Sequence, residues 1–216
     1  MQQLEEHRRR AAWLKTLHQW HWISAAICLV GMLLFSLTGI TLNHASWFDA
    51  RPRVSSHDGI LPDSLQVTLA EAMRQARPTT QPSYQAPLPA AVSEWLQQQW
   101  QVSTAGKKAE WSADEIYLSM PRPGGDAWLR IDPESGEIEY ELTDNGWISY
   151  VNDLHKGRHT GAAWRWFIDL VAIACLIFSI TGLWIMKLHA ANRPSTWPLV
   201  GFGLLLPVLL MLLFIH

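Results

Sequence analysis

Residues 17–44, LHQWHWISAAICLVGMLLFSLTGITLNH, decide the fold. From Trp20 to Leu42 there is no charged side chain, and at 1.5 Å per residue the run covers a hydrocarbon core of about 30 Å. It is too long for the h-region of a cleavable leader, about 7–15 residues, and its exit Asn43-His44-Ala45-Ser46-Trp47 is a poor small-x-small cleavage site, so it reads as a retained anchor. Two further runs, roughly 162–188 and 197–215, carry almost no charge and are long enough to cross as well. The expected fold is an α-helical membrane protein with three transmembrane helices and a small α+β domain between the first two. Its segments are a cytoplasmic stretch 1–18, helix 19–44, an external domain 45–161, helix 162–189, a loop 190–196 and helix 197–216.

Lysine and arginine orient the chain. Arg8, Arg9, Arg10 and Lys15 precede the first helix, and Lys187 and Arg193 flank the short connection between the second and third, so the positive-inside rule puts both regions in the cytoplasm. The carboxy terminus then lies outside. Residues 45–161 carry ten Lys/Arg against sixteen Asp/Glu, a net of −6, which suits a translocated domain and excludes a nucleic-acid-binding surface.

Cys28 and Cys175 fall inside the first and second helices, where cysteine ordinarily behaves as a small hydrophobe. No Cys-x-x-Cys-His occurs, which excludes c-type haem attachment. Trp20, Trp22, Trp47, Trp164, Trp166 and Trp197 sit near predicted interfaces and form an aromatic belt.

In the external domain, Pro62-Asp63-Ser64 offers an N-cap for an amphipathic helix over 65–75, and a second helix is expected over 90–100. The intervening 78–89 holds four prolines and reads as an extended connector. Alternating runs at 115–120, 127–131 and 137–142, separated by Pro-Gly-Gly and by Asp132-Pro133-Glu134-Ser135-Gly136, predict an antiparallel meander. No nucleophile with its base is recognisable there.

The apolar helices carry an internal repeat. Leu17-His18-Gln19-Trp20-His21 is followed by Phe35-Ser36-Leu37-Thr38-Gly39 and then Asn43-His44. Leu154-His155-Lys156-Gly157-Arg158-His159 is followed by Phe178-Ser179-Ile180-Thr181-Gly182 and then His189. Because the two helices run in opposite directions, this is an inverted repeat of the kind that relates halves of membrane proteins. His21 and His44 are 23 residues apart, about 35 Å along one helix, and cannot share a metal centre. Antiparallel pairing instead groups His18, His21 and His189 on the cytoplasmic side and His44, His155 and His159 on the external side. The spacings of three and four place His18 with His21, and His155 with His159, on one helical face, although Gly157 and Gly161 blur the start of the second helix. His7 and His57 fall outside the pattern and read as surface residues; the terminal His216 is set aside as a ligand.

Compact zinc or copper sites recruit carboxylates or thiolates, whereas two histidines on facing helices, flanked by aromatic and small residues, suit axial coordination of a planar haem. The pattern therefore predicts haem b, two groups on opposite sides of the bilayer; Gly31, Gly39, Gly161 and Gly182 either allow close approach of backbone and porphyrin or serve ordinary helix packing. Asp169 has two readings: a proton, quinone or haem-propionate role, or an i,i+4 ion pair with Arg165. Asn43 caps the helix end or orients His44 by a hydrogen bond, and Thr38 and Thr181 are expected to bond to carbonyls of their own helices.

These same stretches carry a resemblance. Leu-His-x-Trp-His with Leu-Thr-Gly-Ile-Thr-Leu-Asn-His, Asp-Leu-His-Lys-Gly-Arg-His-Thr-Gly, and Ile-Thr-Gly-Leu-Trp look like the PepSY-associated transmembrane helix family, and Tyr117 to Glu141 is similar to a PepSY repeat. The resemblance covers most of the chain outside roughly 76–112. It implies an inner-membrane protein of bacteria, similar to haem-containing reductases that release iron from ferric siderophores, in which transmembrane histidines hold b-type haems and electrons pass outward. The chain differs from larger members in having three helices and one external domain, and it has no glycine fingerprint for FMN or NAD. The electron donor is then a quinol or a partner reductase, and a homodimer is one way to complete the sites. The competing reading is a haem-free, membrane-anchored interaction module that assembles with a periplasmic protease or transporter; a divalent-metal transporter would call for more intramembrane carboxylates than Asp169.

Overall fold

The computed structural model describes residues 1–48, 51–76 and 83–215. The chain divides into two units: Met1–Leu37 with Arg165–His216, and Thr38–Trp164. His216 and the first part of the expected 78–89 connector lie outside the described residues.

The first unit is helical. Helix α1, Gln2–Asn43, begins well before its apolar run, so the basic residues of the amino-terminal segment are themselves helical. The second apolar run is taken up by one helix, Gly161–His189, and the third by another, Thr196–Phe214. All three are long and apolar enough to cross a membrane. Their outward faces are Leu, Ile, Val and Phe: Leu33 and Leu176, for example, are both more than 60% exposed, a surface that suits lipid and not water. The first two helices pack through small residues. A methyl group added at Gly31 would fall 2.7 Å from Val171 Cγ1, so this contact requires glycine.

The second unit is the α+β domain. Its strands are β1 Arg53–Ile60, β2 Tyr84–Ala86, β3 Ala109–Trp111, β4 Ile116–Ser119, β5 Gly125–Ile131 and β6 Glu137–Asp144. They form one antiparallel sheet in the order β1-β6-β5-β4-β3-β2. The expected meander is its β4-β5-β6 centre. The outer strands β1 and β2 were not expected: β1 is exposed along almost its whole length and lacks the alternation that marks a strand, and β2 falls within the expected proline-rich connector.

Helices α2, Asp63–Ala76, and α3, Ala90–Gln99, match the two amphipathic segments and supply Leu69, Val92 and Leu96 to the core. The sheet contributes Trp111, Ile116, Leu118, Leu129, Ile131 and Ile138. Trp111 also donates its indole N–H to Ala86 O at 3.0 Å, which ties β3 to the short β2. The Asp132–Gly136 turn is closed by the Asp132 carboxylate, which accepts from the amides of Glu134 (2.8 Å) and Ser135 (3.0 Å), while Gly136 takes φ +72°. A short helix α4, Gly146–Lys156, follows the sheet and ends on Gly157 in the left-handed conformation, φ 66°, before α5 begins at Gly161 (the Gly161–His189 helix), which makes Thr196–Phe214 α6.

Two outcomes follow. Replacing the buried Trp111 by Ala removes both its packing and its N–H bond, and denaturant unfolding of the full chain in detergent should show the domain destabilised by about 3–5 kcal/mol. The backbone amides of Ser135 and Glu134 hold the Asp132 carboxyl below the usual carboxylate range. A depressed carboxyl stabilises the fold above its unfolded value and loses that contribution as pH falls through the folded one. Asp132→Ala should therefore lower the melting temperature at neutral pH, with the difference from wild type shrinking as pH drops below about 4.

Candidate functional site

The histidines are positioned by hydrogen bonds to their Nδ1 atoms. His18, His44 and His189 each lie one helical turn beyond a carbonyl that this nitrogen reaches: Leu14 O at 2.8 Å, Ile40 O at 3.1 Å and Ile185 O at 2.9 Å. A carbonyl only accepts, so Nδ1 carries the proton in each case, and a neutral ring then has its lone pair on Nε2.

His21 reaches the same state by another route. Its Nδ1 is 3.0 Å from Thr181 Oγ1, whose own proton is committed to Ile177 O at 2.7 Å and Phe178 O at 3.1 Å. Thr181 is thus the acceptor and His21 the donor. The ring stacks on Phe178, with centroids 4.6 Å apart and planes 16° from parallel, and Gly182 leaves it room: an added Cβ would lie 3.1 Å from His21 Cε1. A ring so clamped has a fixed orientation and presents Nε2. His21, Gly182 and His189 line one cavity of about 420 Å³ together with Ile185, Met186 and Arg193. His18 is exposed and is not among the residues that line it.

The second unit repeats this contact with the partners exchanged. His155, on α4, places Nδ1 2.7 Å from Thr38 Oγ1, and a Cβ on Gly39 would lie 3.6 Å from His155 Cε1. Thr41 Oγ1 lies 2.9 Å from both Thr38 O and the buried Asn152 Oδ1, and Trp164 donates to Leu154 O at 2.8 Å. These bonds hold α4 against the end of α1. In the first unit the histidine of the first repeat meets the Thr-Gly of the second; in the second unit the histidine of the second repeat meets the Thr-Gly of the first. Thr181 does bond to its own helix as expected, but both threonines have a second task that the sequence reading missed. The signal was present in the duplicated Phe-Ser-x-Thr-Gly.

The expected pairing of His155 with His159 on one helical face does not hold. Gly157 ends α4 between them, and His159 sits exposed in the turn with φ +57°. His44 follows the last helical residue of α1 with its ring against Trp47, centroids 4.0 Å apart. Asn43 is exposed, and it is the Ile40 carbonyl that holds the His44 ring. Arg165 and Asp169 are both exposed and form no ion pair with each other. His57 lies between Trp100 and Tyr140 on the sheet, at ring separations of 5.7 and 6.1 Å. Among the described residues no three His, Cys, Asp or Glu side chains converge as a metal site, an arrangement that axial coordination by two facing imidazoles does not need.

Three apolar helices, the duplicated His and Thr-Gly contacts and the small antiparallel sheet occur together over most of the chain, and the family model described as PepSY_TM-like matches residues 12–216. The chain belongs to the PepSY_TM-like family. No curated protein and no solved structure matches it. For this PepSY_TM-like membrane protein, the clamp on His21 has a direct check. Thr181→Val removes the acceptor, and nitrogen NMR of labelled imidazole should show His21 losing its single Nδ1–H tautomer, whereas Thr181→Ser retains it.

Proposed function

We propose that this protein is a di-haem b electron-transfer protein of the bacterial inner membrane, an oxidoreductase that passes electrons outward to reduce ferric iron, including siderophore-bound iron, in the periplasm. The observation that carries the reading is the shared state of His18, His21, His44 and His189, whose Nδ1 atoms are tied to a carbonyl or a threonine so that Nε2 is presented. That is the second-partner arrangement metal-bound histidines use, and it raises the basicity of the ligating nitrogen.

The donor set fits haem. His21 and His189 share a cavity beside Gly182, so they are the pair for the cytoplasmic side, in preference to His18. His155, held by Thr38, pairs with His44 for the outer side, in preference to His159. Bound haem supplies one-electron chemistry at a potential set by its axial ligands and burial. The chain's own residues hold the rings rigid, keep the site apolar through Phe178 and Ile185, and leave space at Gly39 and Gly182.

In this reading the basic amino-terminal segment and the connection between α5 and α6 face the cytoplasm, and residues 45–161 form the periplasmic domain. Asp169, an exposed carboxylate on an apolar helix, has a proton-handling role open to it, with Arg165 one turn away. Electrons come from a quinol or a partner reductase, and the exposed α6 offers a face for a homodimer.

Protein purified from haem-replete cells should show a Soret band and, after dithionite, a reduced α-band. His189→Ala and His44→Ala should each remove about one haem and spare the other. A purified protein with neither band sinks the haem reading and leaves the interaction module; loss of both haems from either substitution contradicts two separate sites.

A further inference from the structure

The cavity shared by His21 and His189 has one permanent charge in its lining, Arg193, which stands four residues past His189 in the connection between α5 and α6. Arg193 and Met186 also line a second cleft of about 470 Å³, together with Ser195 and, from the start of α6, Thr196. The two spaces therefore meet at Met186 and Arg193. The backbone is held on both sides of this point: Arg193 N donates to Ala190 O at 2.9 Å, and Thr196 N donates to Arg193 O at 3.1 Å. Ser195 precedes α6 without capping it through its side chain, so its hydroxyl is not spent on that helix.

The guanidinium has no counter-ion close by in its own unit. Residues 7–48 and 170–216 contain no Asp or Glu. Glu6 lies fifteen residues before His21 on α1, and Asp169 twenty before His189 on α5, about 22 and 30 Å along the helix axes. Among the described residues Arg193 forms no ion pair. Lys187, a second cation at this end of α5, sits over the Trp184 ring at 5.9 Å and lines neither space. A cation set against apolar walls without a carboxylate calls for an anion from outside the chain.

We propose that Arg193, assisted by the Ser195 hydroxyl, anchors a haem propionate on the cytoplasmic side and is thus a positioning residue for the cofactor. The proposal rests on the haem reading of the His21–His189 cavity. Haem b is apolar over its ring and carries two carboxylates at one edge. The joined space has the matching division, with the imidazoles in one cleft, the hydroxyls of Ser195 and Thr196 in the other, and Arg193 where they meet. The planar fork of a guanidinium matches a carboxylate with two parallel hydrogen bonds. A lipid head group accounts for an arginine at the membrane surface, but not for its place in the wall of the histidine cavity.

The test uses the full chain in detergent, produced in haem-depleted cells and carrying His44→Ala so that the cytoplasmic site is the one left to fill. It is titrated with haemin and with haemin dimethyl ester, in which both propionates are blocked, and binding is followed by the Soret band. This parent should bind haemin about ten- to a hundredfold more tightly than the ester, the range of a charge-assisted hydrogen bond. Arg193→Gln should bring haemin down to the affinity of the ester and leave the ester's own affinity unchanged, which also shows that the variant is folded. Arg193→Lys should keep part of the preference, and Ser195→Ala should reduce it by less than Arg193→Gln. With His44 restored and both haems bound, Arg193→Gln should lower the midpoint potential of one haem, because an uncompensated propionate favours the ferric state, and leave the other unmoved. Equal affinity for haemin and ester in the parent, or a preference for haemin that survives Arg193→Gln, overturns the anchor while haem binding stands. No Soret band with either porphyrin overturns the haem reading and the anchor with it.

Discussion

A polar ring placed among apolar helices must have its hydrogen bonds supplied by the protein, and the structure answers that constraint twice with the same pair of side chains. His21 donates to Thr181, and His155 lies against Thr38. Each such bond between helices in a membrane contributes on the order of 0.6–2 kcal/mol, which is modest as stability. Its larger effect is geometric. A threonine whose proton is already given to its own helix, as Thr181's is, dictates which nitrogen of the histidine carries the hydrogen and therefore which nitrogen is left for a ligand.

The rest of the helix packing accommodates this contact. Gly182 and Gly39 follow their threonines directly beside the imidazoles, Gly182 removing a Cβ that would crowd His21; Phe178 covers the face of His21, and Gly31 lets the backbones close at Val171. The α+β domain serves the same end differently. Its core of Trp111, Ile116, Leu118, Leu129, Ile131 and Ile138 fixes the sheet from which α4 emerges, and α4 carries Asn152 and His155 to the end of α1. Gly157, at φ 66°, stops that helix and turns the chain towards α5.

Much of this was legible in the sequence because the signals are strong and local. Three apolar runs of membrane length yield three long helices, and alternation between turn-forming sequences yields β4, β5 and β6. Strand β1 was not legible, since Arg53–Ile60 is exposed on both faces and is held by ladder bonds to β6, not by a buried stripe. The shared helical face of His155 and His159 failed for a physical reason visible in hindsight: Gly157 can adopt the left-handed conformation that ends a helix, and it stands between them. Thr38 and Thr181 were underread because a threonine in an apolar helix ordinarily bonds backward to its own carbonyls, and spacing along one chain does not reveal a partner on another helix.

By itself the sequence determined the number of apolar helices, the acidic α+β insertion and the repeat that singles out the candidate histidines, because hydropathy, net charge and period are properties of the chain read in order. Tertiary structure alone decided which histidine meets which threonine, and that His21 and not His18 shares a cavity with His189. The reason is that these contacts cross between helices distant in sequence, where partner, tautomer and ligand set depend on rotation and register of one helix against another, and small residues such as Gly31 and Gly182 set that register through space no one-dimensional pattern records.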